Sequence, residues 1–320
     1  MPQYLTFQAA AQKASGGLTG LQADASGSVR ATLGPGNSFY VNEAIGSDSN
    51  PGTIQEPFAT LAAALAAATA NNGDVVYLQG TVHVTATVNW NKNGVSLVGI
   101  NAGSNNDRAR ISSSGSVVFS PMFDVTAQGC DFVDIATFYG YADAVAQVCW
   151  AENGGRNNYQ NCQFLGGGNA GGAAQAGMRS LTVGGNGENL FVDCTIGLDT
   201  VVRATAANAS LEFLGGTTRN KFVRPIFQSY VSLATDVHVL AGDAAVDRTQ
   251  YFIDPVFVNA VDSGATEMNA AISWSASAGG NLIIDGGISV GATALATAGP
   301  VYVNGAVPNA TTSVIGIKAT

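Results

Sequence analysis

The chain has 320 residues, enough for one sizeable core or an elongated repeat, and a hydrophobic content of 46% that excludes a disordered protein. Only 11% of its residues are charged, against roughly 25% in ordinary globular proteins, and forty are glycine. A net charge of −9, with thirteen basic residues scattered singly, leaves no electrostatic footprint for nucleic acid.

Residues 1–38 are rich in Ala, Gly, Ser and Thr, with Tyr4, Leu5 and Phe7 as their main apolar anchors. Such a segment reads as an extended arm that binds a partner through those three residues. It has neither the basic start nor the apolar stretch of a secretory signal, so cytoplasmic synthesis is expected. Phe39-Tyr-Val41 reads as a strand. Asp48, Asn50 and Gly52 follow in a turn-rich loop, where an Asx turn is favoured over a calcium loop. A helix is expected to open at Pro57, to present Phe58, Leu61, Leu65 and Ala68 on one face, and to stop at Asn71-Asn72-Gly73. The apolar run Pro57 to Ala70 is too short to span a bilayer, so no membrane association is expected. Asp74 to Leu78 and Gly94 to Val98 read as buried strands.

A six-residue pattern then recurs. It starts at Tyr159, Phe191, Phe222, Phe252 and Ile283, at intervals of 32, 31, 30 and 31 residues, with Phe132-Val-Asp134 as a degraded earlier copy. A second strand-like element keeps the same period: Cys149-Trp150, Leu181 to Val183, Leu211 to Phe213, Val237 to Val239 and Ile272 to Trp274. The segments are short, β-branched or aromatic, and separated by Gly, Asn and Asp. Helical solenoids need amphipathic runs of ten or more residues, and none occurs here. Stacked coils of about thirty residues follow, each pairing its backbone with the coils above and below. Strict alternation puts the second, fourth and sixth positions inward: Val192, Cys194 and Ile196, then Val223, Pro225 and Phe227. Pro225 and Pro255 are expected at a bend between two faces. The remaining residues, 304–320, have Val314 to Ile317 as a final strand.

The run Tyr40-Val-Asn42, Gly46 to Thr53, Pro57 to Leu61 and Gly73 to Leu78 resembles the opening of pectin-lyase-like right-handed β-helix proteins. That opening is familiar in tailspikes and other surface proteins of tailed bacteriophages. The resemblance covers residues 39–100; the later coils support the fold through their period. The expected architecture is all-β: a right-handed parallel β-helix with an N-terminal capping helix and an extended N-terminal arm. Its parts are the arm 1–38, the opening and helix 39–100, the coils 101–303 and the tail 304–320.

Polysaccharide-cleaving β-helices use paired carboxylates. Asp134, Asp193, Asp254 and Asp285 share one repeat position, interrupted by Asn161 and Arg224. Asp193 and Asp254 would stand two coils apart, about 10 Å by the stacking rise. The competing reading, that Asp and Asn hydrogen-bond local backbone at a turn, is favoured, and no catalytic residue is expected. The first-position residues Tyr159, Phe191, Phe222 and Phe252 are expected to form a subunit interface, or to be returned to the core by a bend, in preference to a sugar site. His83 and His238 share no motif. Cys162 and Cys194 are expected to stack inside as free thiols, and none of the four cysteines has metal-site spacing, so neither metal nor cofactor is expected.

The resemblance implies a virion surface protein. The expected role is a non-enzymatic capsid decoration or head-fibre protein, homotrimeric, anchored to a major capsid or tail protein through its arm. The alternative is a tailspike-type polysaccharide-binding or depolymerising protein.

Overall fold

Short runs rich in Val, Ile and Phe, punctuated by Gly and Asn every few residues, force the chain into strands too brief to stand alone. In the computed structural model each strand is completed by its counterpart one coil away. The structure describes residues 36–100, 109–113, 119–142, 144–204, 208–260, 264–297 and 299–304, with the backbone of 21–23, 29–31 and 317–318. Tyr4, Leu5 and Phe7 lie outside the described residues, as does most of the expected last strand, whose Ile317–Lys318 pairs antiparallel with Tyr302 and Val303.

Among the described residues three parallel sheets line a right-handed solenoid. The first runs from Ser38–Val41 through Val75–Gln79 to Val301–Val303. The second runs from Thr81–Val84 to Ile288–Val290 and the third from Val88–Trp90 to Ala292–Ala296, with eight strands in each. The sequence motifs fall in register. Phe132, Tyr159, Phe191, Phe222 and Phe252 stack coil on coil in the first sheet. Trp150, Leu181, Leu211, Val239 and Ile272 do so in the third.

Two details of the repeat differ from the expectation. The third motif position takes a left-handed backbone in every coil: Asp134 (φ 59°), Asn161 (52°), Asp193 (55°), Arg224 (50°) and Asp254 (50°). That single residue turns the corner between the first and second sheets and shifts the alternation, so the first, fourth and sixth positions point inward. Tyr159, Phe191, Phe222 and Phe252 are therefore fully buried: of the two expected arrangements the bend that returns them to the core is found and the subunit interface is not, while Val192 and Val223 sit half-buried on the outside. The last copy begins at Ile284, which pairs with Phe252, so Gly286 (φ 72°) takes the corner and Asp285 leaves the aspartate row.

The buried rings stack face to face, at 4.8 Å for Phe132–Tyr159, 4.5 Å for Tyr159–Phe191 and 4.3 Å for Phe191–Phe222. Beside them Ile135, Cys162, Cys194, Pro225 and Pro255 form a second inward row at the corner. Proline fits because the coil-to-coil hydrogen bonds there come from its neighbours, Arg224 N to Ile253 O and Ile226 N to Cys194 O. All four cysteines are free and buried.

The opposite corner, between the third and first sheets, holds an internal amide ladder. Asn157 Oδ1 accepts from Cys130 N (2.9 Å), Asn189 Oδ1 from Asn157 N (2.9 Å), Asn220 Oδ1 from Asn189 N (3.1 Å) and Gln250 Oε1 from Asn220 N (2.9 Å). Each side chain satisfies a backbone donor that the corner removes from the sheet.

The helix spans Leu61–Ala67 rather than opening at Pro57. Phe58 bridges Val41 instead, donating its amide to Tyr40 O and accepting from Asn42 N, which delays the first turn. Thr60 caps the helix by accepting from Ala63 N, and Leu61, Ala64 and Leu65 bury their side chains at this end of the solenoid. Lys92 Nζ donates to the carbonyls of Ala66 (2.9 Å) and Ala68 (2.6 Å), the orphan acceptors of the helix end.

Candidate functional site: corner ladders and outer faces

The left-handed corner residues project their side chains from the solenoid and form the surface on which any carboxylate chemistry would be built. Asn161 Nδ2 donates to Asp134 Oδ1 at 2.8 Å. Arg224 reaches Asp193 with two bonds, Nε to Oδ1 and Nη2 to Oδ2, both 2.7 Å. This bidentate partner holds the Asp193 carboxyl below its ordinary range. Asp254 follows Arg224 in the row, and the next corner is Gly286, whose left-handed backbone (φ 72°) favours glycine and whose missing side chain leaves room for the Asp254 carboxylate. The guanidinium between Asp193 and Asp254 thus pairs with the first and screens the second, so the two carboxylates do not face one another directly.

A second charged row, not singled out from the sequence, runs along the other corner. Arg156, Glu188 and Arg219 are also left-handed and stack in adjacent coils. Arg156 Nε donates to Glu188 Oε2 at 2.8 Å and Arg219 Nη2 to Glu188 Oε1, and the two arginines lower the Glu188 pKa. Their spacing of 32 and 31 residues was the available signal.

The most displaced acids are interior. Glu152 is fully buried, and burial pushes it up to about 7 although Tyr159 Oη, Asn157 Nδ2 and the amides of Gly154 and Gly155 all donate to it. A carboxyl titrating near neutrality flags catalysis when it lines a cleft; this one is sealed among Asn157, Tyr159 and the backbone of the corner. His83 is exposed, with Nδ1 3.1 Å from Glu43 Oε2. His238 is buried beside Phe257, far along the chain from it. Asp48 accepts from the amides of Ala59 (3.0 Å) and Thr60 (2.9 Å) and from Thr60 Oγ1 (2.9 Å), so it anchors the helix start. Among the described residues no group of three metal-ligating side chains occurs, and no helix is long and apolar enough to cross a membrane.

The outer face of the second sheet is apolar toward its C-terminal end. Ile226, Val256 and Ile288 stack in register, and Val258 pairs with Val290 beside them. Ile226 is 42% exposed, Ile288 60% and Val290 46%, with both Val256 and Val258 half-buried.

No protein-family profile and no curated protein sequence matches the chain. Solved structures do. A rhamnogalacturonan lyase aligns over 79% of this chain and 68% of its own at a TM-score of 0.55 and 17% identity. The pectin methylesterase from Aspergillus niger aligns over 86% and 88% at 0.49 and 16%, and the ORF18 protein of Geobacillus virus E2 over 76% and 57% at 0.33 and 12%. The lyase likeness, with the coil registers above, establishes that the chain has the right-handed parallel β-helix fold of the pectin-lyase-like proteins.

Proposed function

We propose that the protein is a non-enzymatic structural component of a tailed-bacteriophage particle, displayed on its surface as a capsid decoration or head-fibre protein. Residues 1–38 anchor it to a major capsid or tail protein. Three copies associate through the apolar outer face of the second sheet, around Ile226, Val256, Ile288 and Val290. The phage assignment rests on the sequence resemblance over residues 39–100. The observation that carries the non-enzymatic reading is the Arg224–Asp193 bond pair, which commits one member of the best-spaced carboxylate couple to a structural partner.

Exposed apolar rows on a soluble surface point to a partner, and a face of stacked aliphatic side chains suits a second copy of itself. Purified protein incubated with host surface polysaccharide is expected to release no new reducing ends. Release that disappears in Asp193→Asn or Asp254→Asn would establish the depolymerase instead. Deleting residues 1–38 is expected to abolish incorporation into particles, and unchanged incorporation would rule out the anchor. Ile226→Lys with Ile288→Lys is expected to yield monomers in analytical ultracentrifugation; an unaltered oligomer would place the subunit contact elsewhere.

A further inference from the structure

Six polar atoms without hydrogen-bond partners gather where the second sheet hands the chain to the third. Arg203 is buried; its Nη2 donates to Ser210 Oγ at 2.9 Å, but its Nη1 meets no acceptor. Asp236 is fully buried; the Asn208 amide lies near enough to act on its carboxyl, but neither carboxylate oxygen receives a donor in full hydrogen-bond geometry. His238 is equally buried with both ring nitrogens unpartnered, and Ser229 Oγ is a sixth such atom.

The topology brings these residues together. Ser210 stands one coil below His238, because Ala209 pairs with Val237 and Leu211 with Val239. Asp236 immediately precedes that His238 strand. Arg203 bridges Val231 and donates its amide to Tyr230 O, next to Ser229 on the neighbouring coil. The Arg203 charge acts on both Asp236 and His238.

Buried polar atoms in folded proteins are almost always paired, so a cluster of six points to an occupant. Its chemistry is fixed by the lining. An anion would face Asp236 and a cation would face Arg203, while the other nearby guanidinium, Arg179, is already paired with Glu212 at 2.7 Å. The lining offers donors at Arg203 and Ser229, acceptors at Asp236, and one of each on a neutral imidazole. Burial and the Arg203 charge depress His238 to about 3, which keeps it neutral.

We propose that this corner is an internal water site, in which about two ordered molecules, at roughly three hydrogen bonds each, bridge Arg203 to Asp236, His238 and Ser229. The charged pair is then solvated within the fold and not in direct contact.

Oxygen-17 water relaxation dispersion on the full chain tests this. Wild type is expected to hold about two more long-lived waters than the Arg203→Met/Asp236→Leu double variant, and His238→Phe about one fewer than wild type. A wild-type crystal structure is expected to show solvent oxygen within about 3 Å of both Arg203 Nη1 and an Asp236 oxygen. Equal counts in folded wild type and double variant overturn the proposal. So does a wild-type map without solvent oxygen between these groups, which decides alone should the double variant fail to fold. A melting temperature raised by chloride but not by sulfate at equal ionic strength would assign an anion site and overturn it as well.

Discussion

Phe191→Ala is the perturbation that separates an inward aromatic row from an outward one. The ring is fully buried and lies between Tyr159 at 4.5 Å and Phe222 at 4.3 Å, nearly parallel to both. Truncating a buried Phe costs about 3–5 kcal/mol, and the loss of two stacked neighbours places this site toward the upper end, about 4 kcal/mol. Leu190, one residue earlier and 37% exposed, supplies the control, with Leu190→Ala expected to cost under about 1 kcal/mol. Urea unfolding of wild type and both variants, followed by far-ultraviolet circular dichroism, measures the difference from the midpoints at a common m value. A loss under about 1 kcal/mol for Phe191→Ala, or a change of association state with an unmoved midpoint, would refute the buried ladder.

Three further outcomes follow from specific groups. Between pH 7.5 and 5 stability is expected to rise by about 2 kcal/mol. Folding takes up protons on Glu152, held at about 7 against an ordinary 4.5, and on Asp236, held at about 6 against 3.8; this gain, present at low pH, is lost as pH rises through those values. His238, depressed to about 3 from 6.5, opposes them, because the unfolded chain binds a proton below 6.5 that the fold refuses. A melting temperature that falls steadily from pH 7.5 to 5, or a rise unchanged in Glu152→Gln, would contradict the assignment. Asn189→Ala is expected to cost about 1–3 kcal/mol, since the Asn157 amide loses its acceptor inside the corner; calorimetry showing no loss would mean the ladder carries no stability. Arg224→Ala is expected to return the Asp193 carboxyl toward its ordinary range while altering stability by under about 1 kcal/mol; an unmoved Asp193 titration by carbon-detected NMR would dissociate the pair.

The period was legible because stacking demands it twice over: the ring row and the Trp150–Ile272 row must each repeat once per coil. The direction of the rings was legible only as one of two readings, because the left-handed residue at the third position that makes the bend reverses what alternation implies. Asp, Asn and Gly are accustomed to that conformation, but Arg224 adopts it and gives no sign of doing so in the sequence. The last coil slipped by one because Ile283 and Ile284 are equally good candidates for the row, and only the Gly286 corner decides between them. Pro57 is a sound helix-start signal, overridden by a tertiary bridge from Phe58 to Val41. Asn157, Asn189 and Asn220 carried the period openly, yet polar residues between strands resemble ordinary turn residues until their inward direction is known. Arg203, Asp236 and His238 follow no repeat, so nothing short of the fold brings them together.

Distances along one outer row test the coil stacking most directly. Thr81, Arg110, Ala136, Gln163, Thr195, Ile226, Val256 and Ile288 occupy one register position in the second sheet. Spin labels at Thr81→Cys with Ile226→Cys span five coils, and at Thr81→Cys with Ile288→Cys seven. Pulsed electron–electron double resonance is expected to return separations near about 24 Å and about 34 Å, a rise of about 4.8 Å per coil. Equal separations for the two pairs, or values that track the sequence interval without that rise, would contradict a chain wound upon itself.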